Sequence, residues 1–586
     1  MKPFTIDLKD VFKTDTRDQD KTVAPEQTVA AFKQRLAATG LDILEKTERI
    51  DTGRLDIPVF FSRCGRAARD VIGTTKQMGK GGTPAQAEAS AVMELAERYS
   101  FFKFRRSRKR FVVDTFARLK EKALSFETIA ASVEDRGPEL EKSREIFENL
   151  PMQWTWAFHL NERRAVLMPF DWFYSLNEFN GPSAGNCAEE AILQGICEVV
   201  ERHVSSLVSR RRLRVPAIRP ASAVDPLVVE MLAKYERAGI HLLLSDFSLD
   251  IGIPTVAALA YHPATFPEKS EMVWTAGTTT DPQKALSRAL TETAQLGGGF
   301  NSRTSYVASG LPKPKNRDDL DFITRPDRFV DLAELPNISS ANLKTEIERC
   351  VSALEKQRLP VFVIDITDDD LSIPAFYTVI PGAHFRERTQ NTNVAMVCAK
   401  LIRENFPAPA AMRRLRQFDE QLPRQYYIQF QLGLCLMDEG ADQEALGYLK
   451  TAADLAPPGR DGATIFSYLG VCLKNLAQYG KALDALAKGE ALDADRTDIH
   501  NLMGFCHFKR GEHEQAIQRF TRVLGLNPES AIDYANIGVN YNAMGDPEKA
   551  AVFYEIALSI DPDIAFARQG LAAIKAAGAA EKSKHT

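Results

Sequence analysis

Residues 183–203, SAGNCAEEAILQGICEVVERH, decide how the rest of the chain is interpreted. The polar side chains Glu190, Gln194, Glu198 and Glu201 recur at spacings of 4, 4 and 3. On a helix they therefore fall within one arc of roughly 80°. The positions around them are largely apolar, as a packed helix requires. Three carboxylates and an amide on such a helix are costly to bury without cations, although a solvated polar face is the usual explanation for a single stripe.

Two other stretches repeat this pattern. In each copy a small residue is followed three positions later by a polar residue, and then directly by a second small residue. A Glu follows three positions after that, and a Glu or Gln three positions further on, so the polar residues share one helix face. The three sets are Ala87, Ser90, Ala91, Glu94 and Glu97; Ala191, Gln194, Gly195, Glu198 and Glu201; and Ala285, Arg288, Ala289, Glu292 and Gln295.

The repetition predicts that the three stripes meet at one site, because small residues let helices approach closely. Oxygen ligands without a nearby His or Cys favour a hard ion, Mg²⁺ above all. Five or six acids indicate more than one ion, with a polyphosphate between them. Gly82-Thr83, Gly185-Asn186 and Gly277-Thr278 precede the three helices, whose N-termini would offer N–H donors to phosphate. A structural network of acids and internal cations remains the alternative.

Two familiar site types do not match these residues. The segment Gly79-Lys80-Gly81-Gly82-Thr83 lacks the spacing of a P-loop. A di-iron bundle requires Glu-x-x-His pairs, whereas the pairs here are Glu-x-x-Glu. No nucleophile–base arrangement follows from spacing, so no catalytic side chain is assigned.

The composition is that of a globular protein with several cores. The 586 residues are 44% hydrophobic with a net charge of −4, which favours neither nucleic acid nor membrane as a partner. The N-terminus is charged, unlike a secretory signal, and no run of about 18 apolar residues predicts a membrane span. The eight cysteines include no CxxC pair, so we expect reduced thiols and a cytoplasmic location.

Helices and strands alternate over the first two thirds of the chain, which predicts a large α/β (α+β) domain over 21–405. A polar lead-in over 1–20 precedes it, and the charged segment 103–150 reads as a helical insertion. The first acidic helix is predicted to run from Pro84 through Glu97. A strand is expected over 165–174, and a loop over 276–281 before the third helix.

The C-terminal part repeats. Gly433, Gly470, Gly504 and Gly538 are spaced 37, 34 and 34, and each unit reads as a helix–turn–helix. The pattern resembles tetratricopeptide repeats, which form all-α solenoids that bind peptides or proteins. We expect a linker helix over 406–425, the repeats over 426–577 and a frayed tail over 578–586. An intramolecular or dimerising role for the repeats remains open.

The acidic stretches together resemble the YcaO family. GKGGTPAQAEASAVMELAER matches its first acidic motif, SAGNCAEEAILQGICEVVER its second and RALTETAQ its third. VFVIDITDDDLSIPAFYTVIPG resembles its late strand pair, and 21–28 its N-terminal nucleotide segment. The resemblance covers about residues 18–405. It implies an enzyme that uses ATP and Mg²⁺ to phosphorylate a peptide backbone amide oxygen after a nucleophile has added.

The resemblance also implies roles for individual residues. Arg98 and Arg202 are alternatively internal partners of the acids. Arg386 and Arg388 are candidate phosphate contacts, with a solvated loop as the favoured alternative. The implied metal and phosphate ligands are Glu94, Glu97, Glu190, Glu198 and Glu201. The implied nucleotide contacts or their supports are Lys21, Thr28, Ser90, Gln194, Arg202, Arg288, Glu292 and Gln295.

Two products fit the resemblance. A Cys, Ser or Thr side chain as nucleophile gives an azoline, and a sulfide equivalent gives a thioamide. A further domain follows Pro407-Ala408-Pro409, and no peptide-clamping domain precedes residue 20, which disfavours a standalone azoline enzyme. A TfuA-like or other sulfur-handling protein is therefore an expected partner, beside the peptide or protein substrate. An accessory role in methylthiolation of ribosomal protein S12, or a nucleotide-binding scaffold without catalysis, are the alternatives.

Overall fold

The computed structural model divides into two compact units, Met1–Val397 and Cys398–Thr586. It describes residues 3–14, 17, 20–133, 135, 137, 139–301, 311–314, 316, 318–385 and 391–584. The division between the units and the domain boundary expected at 405 both fall at helix α13 (Val394–Asn405). Within the described residues, no helix is both long and apolar enough to cross a bilayer.

The first unit begins with a three-stranded antiparallel sheet in the order β1-β2-β3. Thr83 caps α3 as the sequence predicts, because its hydroxyl accepts from the Gln86 amide while the Gln86 side chain accepts from the Thr83 amide. The helix continues past Glu97, since buried aromatic residues keep its apolar period to the end. The elements are α1 (Pro25–Thr39), β1 (Leu44–Arg49), β2 (Val59–Cys64), α2 (Arg66–Ile72), β3 (Lys76–Lys80) and α3 (Pro84–Arg106).

The segment 103–150 is only partly helical, which corrects the expectation of a helical insertion. Its first strand, β4, pairs with β5 (Met152–His159). The rings of Phe116, Phe126 and Phe147 join an aromatic cluster with Trp154 and Trp172. These buried rings anchor a segment whose charges suggested a separate insertion. The elements are β4 (Val112–Asp114), α4 (Phe116–Leu119), α5 (Phe126–Ala130) and α6 (Leu140–Glu148).

The largest sheet has the order β4-β5-β13-β14-β7, with β6 also paired to β5. The strand expected over 165–174 ends at Pro169, and a helix follows because Phe170, Trp172 and Phe173 all turn into the core. The elements are β5 (Met152–His159), β6 (Arg164–Pro169), α7 (Phe170–Asn177), β7 (Pro182–Ala184), α8 (Ala188–Arg211), α12 (Leu343–Lys356), β13 (Phe362–Asp365) and β14 (Ala375–Val379).

The third sheet has the order β11-β10-β9-β8-β12. The expected loop over 276–281 is wrong in its first half, because 276–278 complete β11 and pair with β10 in the core. The elements are β8 (Ala217–Ile218), α9 (Pro226–Arg237), β9 (His241–Asp246), β10 (Thr255–Tyr261), β11 (Val273–Thr278), α10 (Pro282–Gly297), α11 (Asp321–Thr324) and β12 (Phe329–Val330). The predicted mixed α/β class is thus confirmed, with mainly antiparallel sheets.

The second unit is a run of helices, and the predicted solenoid is confirmed. A Cβ on Gly470 would lie 2.5 Å from Leu486 of the paired helix, which explains the small residue at that crossing. Helix α23 extends past residue 577, where the sequence predicted a frayed tail. The helices are α14 (Ala408–Gln421), α15 (Tyr426–Asp438), α16 (Asp442–Asp454), α17 (Arg460–Asn475), α18 (Tyr479–Leu492), α19 (Thr497–Lys509), α20 (His513–Leu526), α21 (Ala531–Ala543), α22 (Pro547–Ile560) and α23 (Ala565–Lys584).

Candidate nucleotide and metal site

Each of the three acidic helices follows the outer strand of a different sheet: β3 precedes α3, β7 precedes α8 and β11 precedes α10. A buried hydroxyl from each sheet donates to a main-chain carbonyl of the helix packed on it. The pairs are Ser62 with Ala91 at 2.7 Å, Ser183 with Ala191 at 2.6 Å, and Thr275 with Ala289 at 3.0 Å. The three stretches aligned in the sequence are therefore three strand–helix units of similar construction.

The small residues of these helices lie against the preceding strand, whereas the sequence predicted contacts between the helices. A Cβ on Gly79 of β3 would lie 2.1 Å from the Ala91 nitrogen, and one on Gly277 of β11 would lie 2.4 Å from the Ala285 oxygen. The small residues let each helix approach its own preceding strand. The prediction that they bring the helices against one another was wrong.

The polar stripes of all three helices nevertheless line one cavity of about 550 Å³. Wall residues come also from the N-terminal segment, from β3 and from α12. The cavity brings together every side chain to which the sequence assigned a metal or nucleotide role: Lys21, Thr28, Ser90, Glu94, Glu97, Glu190, Gln194, Glu198, Glu201, Arg202, Arg288, Glu292 and Gln295. Arg386 and Arg388 lie outside the described residues.

Two arginines lie among the acids of α3 and α8. Arg98 bonds Glu94 at 2.7 Å and lies 3.5 Å from Glu97, while Arg202 lies 3.9 Å from Glu198 and 3.7 Å from Glu201. Arg288 of α10 approaches the same Glu201 at 3.6 Å and donates to Gln194 at 2.8 Å. The arginines therefore do act as internal partners of the acids.

The acids nevertheless crowd one another. Burial, and then repulsion from Glu94, raises the pKa of Glu97 well above its ordinary value. Burial also raises the pKa of Glu198, helped by Glu94 and Glu201 and opposed by the two arginines. A cation brought close to these carboxylates would favour their ionised forms and so lower both pKa values.

The donor set fits Mg²⁺ that arrives with phosphate. Among the residues that the structure describes, no group of three or more His, Cys, Asp and Glu side chains is placed to hold a metal ion alone. Mg²⁺ prefers oxygen ligands and usually takes one or two carboxylates together with substrate phosphates and water. Crowded carboxylates with arginines beside them therefore suit a metal–polyphosphate ligand better than a bare ion.

Glu190 is held differently from the other acids. One oxygen accepts from the Thr22 amide and hydroxyl, both at 2.6 Å, and the other accepts from the Asn186 amide and side chain, both at 2.9 Å. Burial raises the pKa of this carboxyl, but nearby Lys21, the Thr22 hydroxyl and amide and the Asn186 amide outweigh it, and the pKa lies below its ordinary value. Four protein donors satisfy a carboxylate. This favours an anchor for the N-terminal segment, and a role as metal ligand stays a prediction.

Lys80, at the end of β3, is a cavity residue that the sequence reasoning missed. Its ammonium contacts the Glu292 carboxylate of α10. Burial, and then the positive charge of Arg288, lowers the pKa of Lys80 to about 7 despite that contact. Its position directly before the loop that leads into α3 is the signal in the sequence, although the segment lacks the spacing of a P-loop.

The lead-in over 1–20 also supplies a cavity residue. The Lys13 ammonium bonds Glu346 of α12 at 2.7 Å and Asp20 at 2.9 Å, and the Glu346 side chain is fully buried. The same Glu346 oxygen accepts from the Thr280 hydroxyl at 2.6 Å. Lys13 and Glu346 are 333 positions apart, so no local pattern could have paired them.

The family model of the YcaO cyclodehydratases, which is ATP- and Mg²⁺-binding, matches residues 78–384, more than half of the chain. The chain belongs to the YcaO family. Its cofactors are accordingly ATP and Mg²⁺. Two tetratricopeptide-repeat models match residues 502–530 and 534–564 in the second unit. Repeats of this kind bind proteins or peptides.

Three relatives are similar to this chain over part of its length. An uncharacterized protein of Methanothermobacter thermautotrophicus is 28% identical over 388 residues, covering 62% of this chain and 94% of the relative. An uncharacterized protein in the tfuA 3′ region of Rhizobium leguminosarum bv. trifolii is 28% identical, covering 54% and 74%. The ribosomal protein S12 methylthiotransferase accessory factor YcaO of Escherichia coli is 25% identical, covering 38% and 39%.

A solved structure shares the fold of the first unit. A heterocyclase in complex with substrate and cofactor matches with a TM-score of 0.54 and 23% identity. The match covers 65% of this chain and 55% of the heterocyclase. At this level of identity the likeness concerns the fold alone.

Proposed function

We propose that the YcaO unit uses ATP and Mg²⁺ to phosphorylate a backbone amide oxygen of a peptide or protein. One observation carries the proposal: the acids of α3 and α8 and the cations Lys80, Arg98, Arg202 and Arg288 meet in one cavity of a YcaO chain. Phosphoryl transfer depends mainly on positioning and on neutralising charge, and this cavity offers both.

The proposed roles follow from position. Glu94, Glu97, Glu198 and Glu201 hold the metal–phosphate part of the ligand, where Mg²⁺ supplies positive charge toward the transferring phosphoryl group. Arg288 approaches Glu201 from α10 and is the proposed contact to the phosphates. Ser90, Gln194, Glu292 and Gln295 orient the nucleotide, and Lys21 and Thr28 close the wall beside the anchored Glu190. Arg202 supports Glu198 and Glu201 and completes the nucleotide contacts and their supports.

We propose a thioamide as the product, with an azoline as the alternative. Similarity to a protein in the tfuA 3′ region supports the thioamide, because TfuA-type proteins are expected sulfur-handling partners of such enzymes. The tetratricopeptide repeats offer a surface for such a partner, for the substrate, or for a second copy of the chain.

Similarity to the S12 accessory factor supports a second candidate, an accessory role in methylthiolation of ribosomal protein S12. In that case, adding this chain raises modification of S12 by its methylthiotransferase, while short peptides stay unmodified.

The direct test is to incubate the full chain with ATP, Mg²⁺ and a library of short synthetic peptides that carry central Gly, Cys, Ser and Thr residues. Sulfide is added to one half of the reactions. Peptide-dependent phosphate release is followed together with peptide mass. Loss of one water identifies an azoline, and exchange of oxygen for sulfur identifies a thioamide. Nucleotide binding without turnover of any peptide would contradict amide activation; it would favour the accessory role if the chain raises S12 modification, and a nucleotide-binding scaffold if it does not.

A further inference from the structure

Among the residues that the structure describes, no strand pairs with one of the two edges of β3. It is the outer strand of its sheet, and its other edge pairs with β2. The Cys64 amide donates to the Thr75 carbonyl at 2.9 Å, and the Gly81 amide to the Pro58 carbonyl at 3.4 Å. Because main-chain groups alternate between the two edges of an antiparallel strand, Gln77 and Gly79 also point toward β2.

Lys76, Met78 and Lys80 therefore turn their N–H and C=O groups to the outer edge. No described residue forms a hydrogen bond with these outward groups of Lys76 and Met78. Lys76 is exposed and Met78 is half-buried. An edge of this kind is a ready template for pairing with another extended chain.

This edge faces the cavity. Gln77 and Met78 both line it, although the side chains of neighbouring strand residues point to opposite faces of a sheet. A cavity that touches both faces meets the strand at its edge. Lys76 and Lys80, at the two ends of β3, line the same cavity.

The strand also leads toward the acids. Between Lys76 and Lys80 the chain advances about 13 Å at the rise of an extended strand. At its far end the Lys80 ammonium contacts Glu292 of α10, and Glu94 and Glu201 lie near enough to act on its charge. A chain paired with β3 would therefore carry its main-chain amides to the part of the cavity where the carboxylates and arginines meet.

We propose that the outer edge of β3 binds the substrate as an added strand, which delivers one of its backbone amides to the phosphoryl-transfer site. The inference rests on the proposed amide activation. The substrate is then an extended peptide segment, held mainly through its main chain and tolerant of side-chain changes on either side of the reacting amide. A folded helix is not accepted, because its amides are already bonded to one another.

The test removes the outward donor alone. Met78→Pro deletes an N–H that takes no part in pairing with β2, and proline is tolerated on a sheet edge when its missing donor faces outward. Met78→Leu keeps the donor and changes only the side chain. Thr47→Pro, on the outer edge of β1, deletes an outward donor away from the cavity. It also removes a hydrogen bond from Thr47 to Glu88, so it is the harsher change for the fold.

The measured quantity is the KM of the full chain for the library peptide with the highest turnover. Met78→Pro is expected to raise this KM about tenfold with kcat largely retained, because one main-chain hydrogen bond to the substrate is lost. Met78→Leu retains the donor, so its rise in KM is expected to be clearly smaller than that of Met78→Pro. Thr47→Pro, away from the cavity, is expected to keep the wild-type KM. N-methylation along the peptide should weaken binding at every second residue, since alternate amides face the strand.

An unchanged peptide KM for Met78→Pro in an enzyme that still turns over the peptide overturns the strand-pairing proposal and leaves amide activation standing. N-methylation that weakens peptide binding equally at neighbouring residues also overturns the strand-pairing proposal and leaves amide activation standing. Absence of turnover in the wild type, with every peptide and in the presence of sulfide, overturns both proposals together. Thermal unfolding of each variant shows whether a raised KM or a lowered kcat comes from misfolding.

Discussion

Replacing Glu198 by Gln is expected to make the ligand-free protein slightly more stable while destroying its activity. Glu198 lies on α8 with 16% of its side chain exposed, and its ion pair with Arg202 is long at 3.9 Å. Burial, supported by Glu94 and Glu201, raises the pKa of this carboxyl above its ordinary value. In the folded protein the ionised form is therefore disfavoured.

The sign of the pH dependence follows from this shift. An acid whose folded pKa is raised stabilises the folded state at low pH, and this contribution is lost as the pH rises through the folded pKa. The buried Glu198 carboxyl therefore costs the wild type more stability as the pH rises, whereas Gln is neutral at every pH. We expect Glu198→Gln to add about 1 kcal/mol at pH 8, or a rise of about 1–2 °C in Tm, and less at pH 5.

Activity should move in the opposite direction. Loss of one ligand of the metal–phosphate group is expected to lower peptide-dependent phosphate release by about 10²–10³-fold. Three quantities are measured on the same preparation. They are the Tm without ligand, the phosphate release with ATP, Mg²⁺ and peptide, and the rise in Tm on adding Mg²⁺–ATP. That rise should largely disappear in the variant, because binding to the folded state produces it.

Glu88→Gln is the matched control. Glu88 lies on α3 outside the cavity, and the pKa of its carboxyl is lowered, since the Thr47 and Lys33 donors outweigh burial. Its replacement should keep turnover and should not raise the Tm. If Glu198→Gln keeps turnover within about threefold of wild type, or destabilises the ligand-free protein, the assignment of this acid to metal and phosphate is wrong.

Three further predictions test other parts of the molecule. Lys13→Met leaves Glu346 buried without its cation and should lower the free energy of unfolding of the first unit by about 3–5 kcal/mol, measured in urea. A double variant that adds Glu346→Gln should recover most of this loss. The pKa of Lys80 is about 7, and a bound polyphosphate favours its ammonium form, so ATP binding at pH 8 should take up about one proton. Calorimetry in two buffers of different ionisation enthalpy measures this uptake, which should be absent in Lys80→Met. Gly470→Val forces a side chain against Leu486 and should destabilise the repeats by about 1–3 kcal/mol in denaturant unfolding, with an unchanged Kd for ATP.

The helical stripes and the repeats were accessible from sequence because both are local periodic patterns. The spacing of Glu190, Glu198 and Glu201 fixes a helix face wherever the helix lies, and glycines 34 residues apart mark repeated crossings. The presence of three such stripes also predicted a common site, and the cavity contains all of them.

Other features depend on contacts that no local pattern carries. The helix of Glu346 reads as amphipathic and charged, and only the arrival of Lys13 from the other end of the domain explains a fully buried carboxylate there. The end of β11 was missed because the Thr-rich residues 276–281 suggest a loop unless their pairing with β10 is known. The small helix residues were assigned to helix–helix contacts, although sequence spacing alone does not say which element lies against them.

The buried pair between Lys13 and Glu346 has a consequence for synthesis on the ribosome. The cavity cannot be completed until the polypeptide has grown from one partner to the other, 333 positions later. At translation rates of about 5–20 residues per second, that interval lasts roughly 17–67 seconds. Throughout it the N-terminal segment waits without its acidic counterpart, so a nascent chain gains its complete nucleotide cavity only shortly before its repeats are translated.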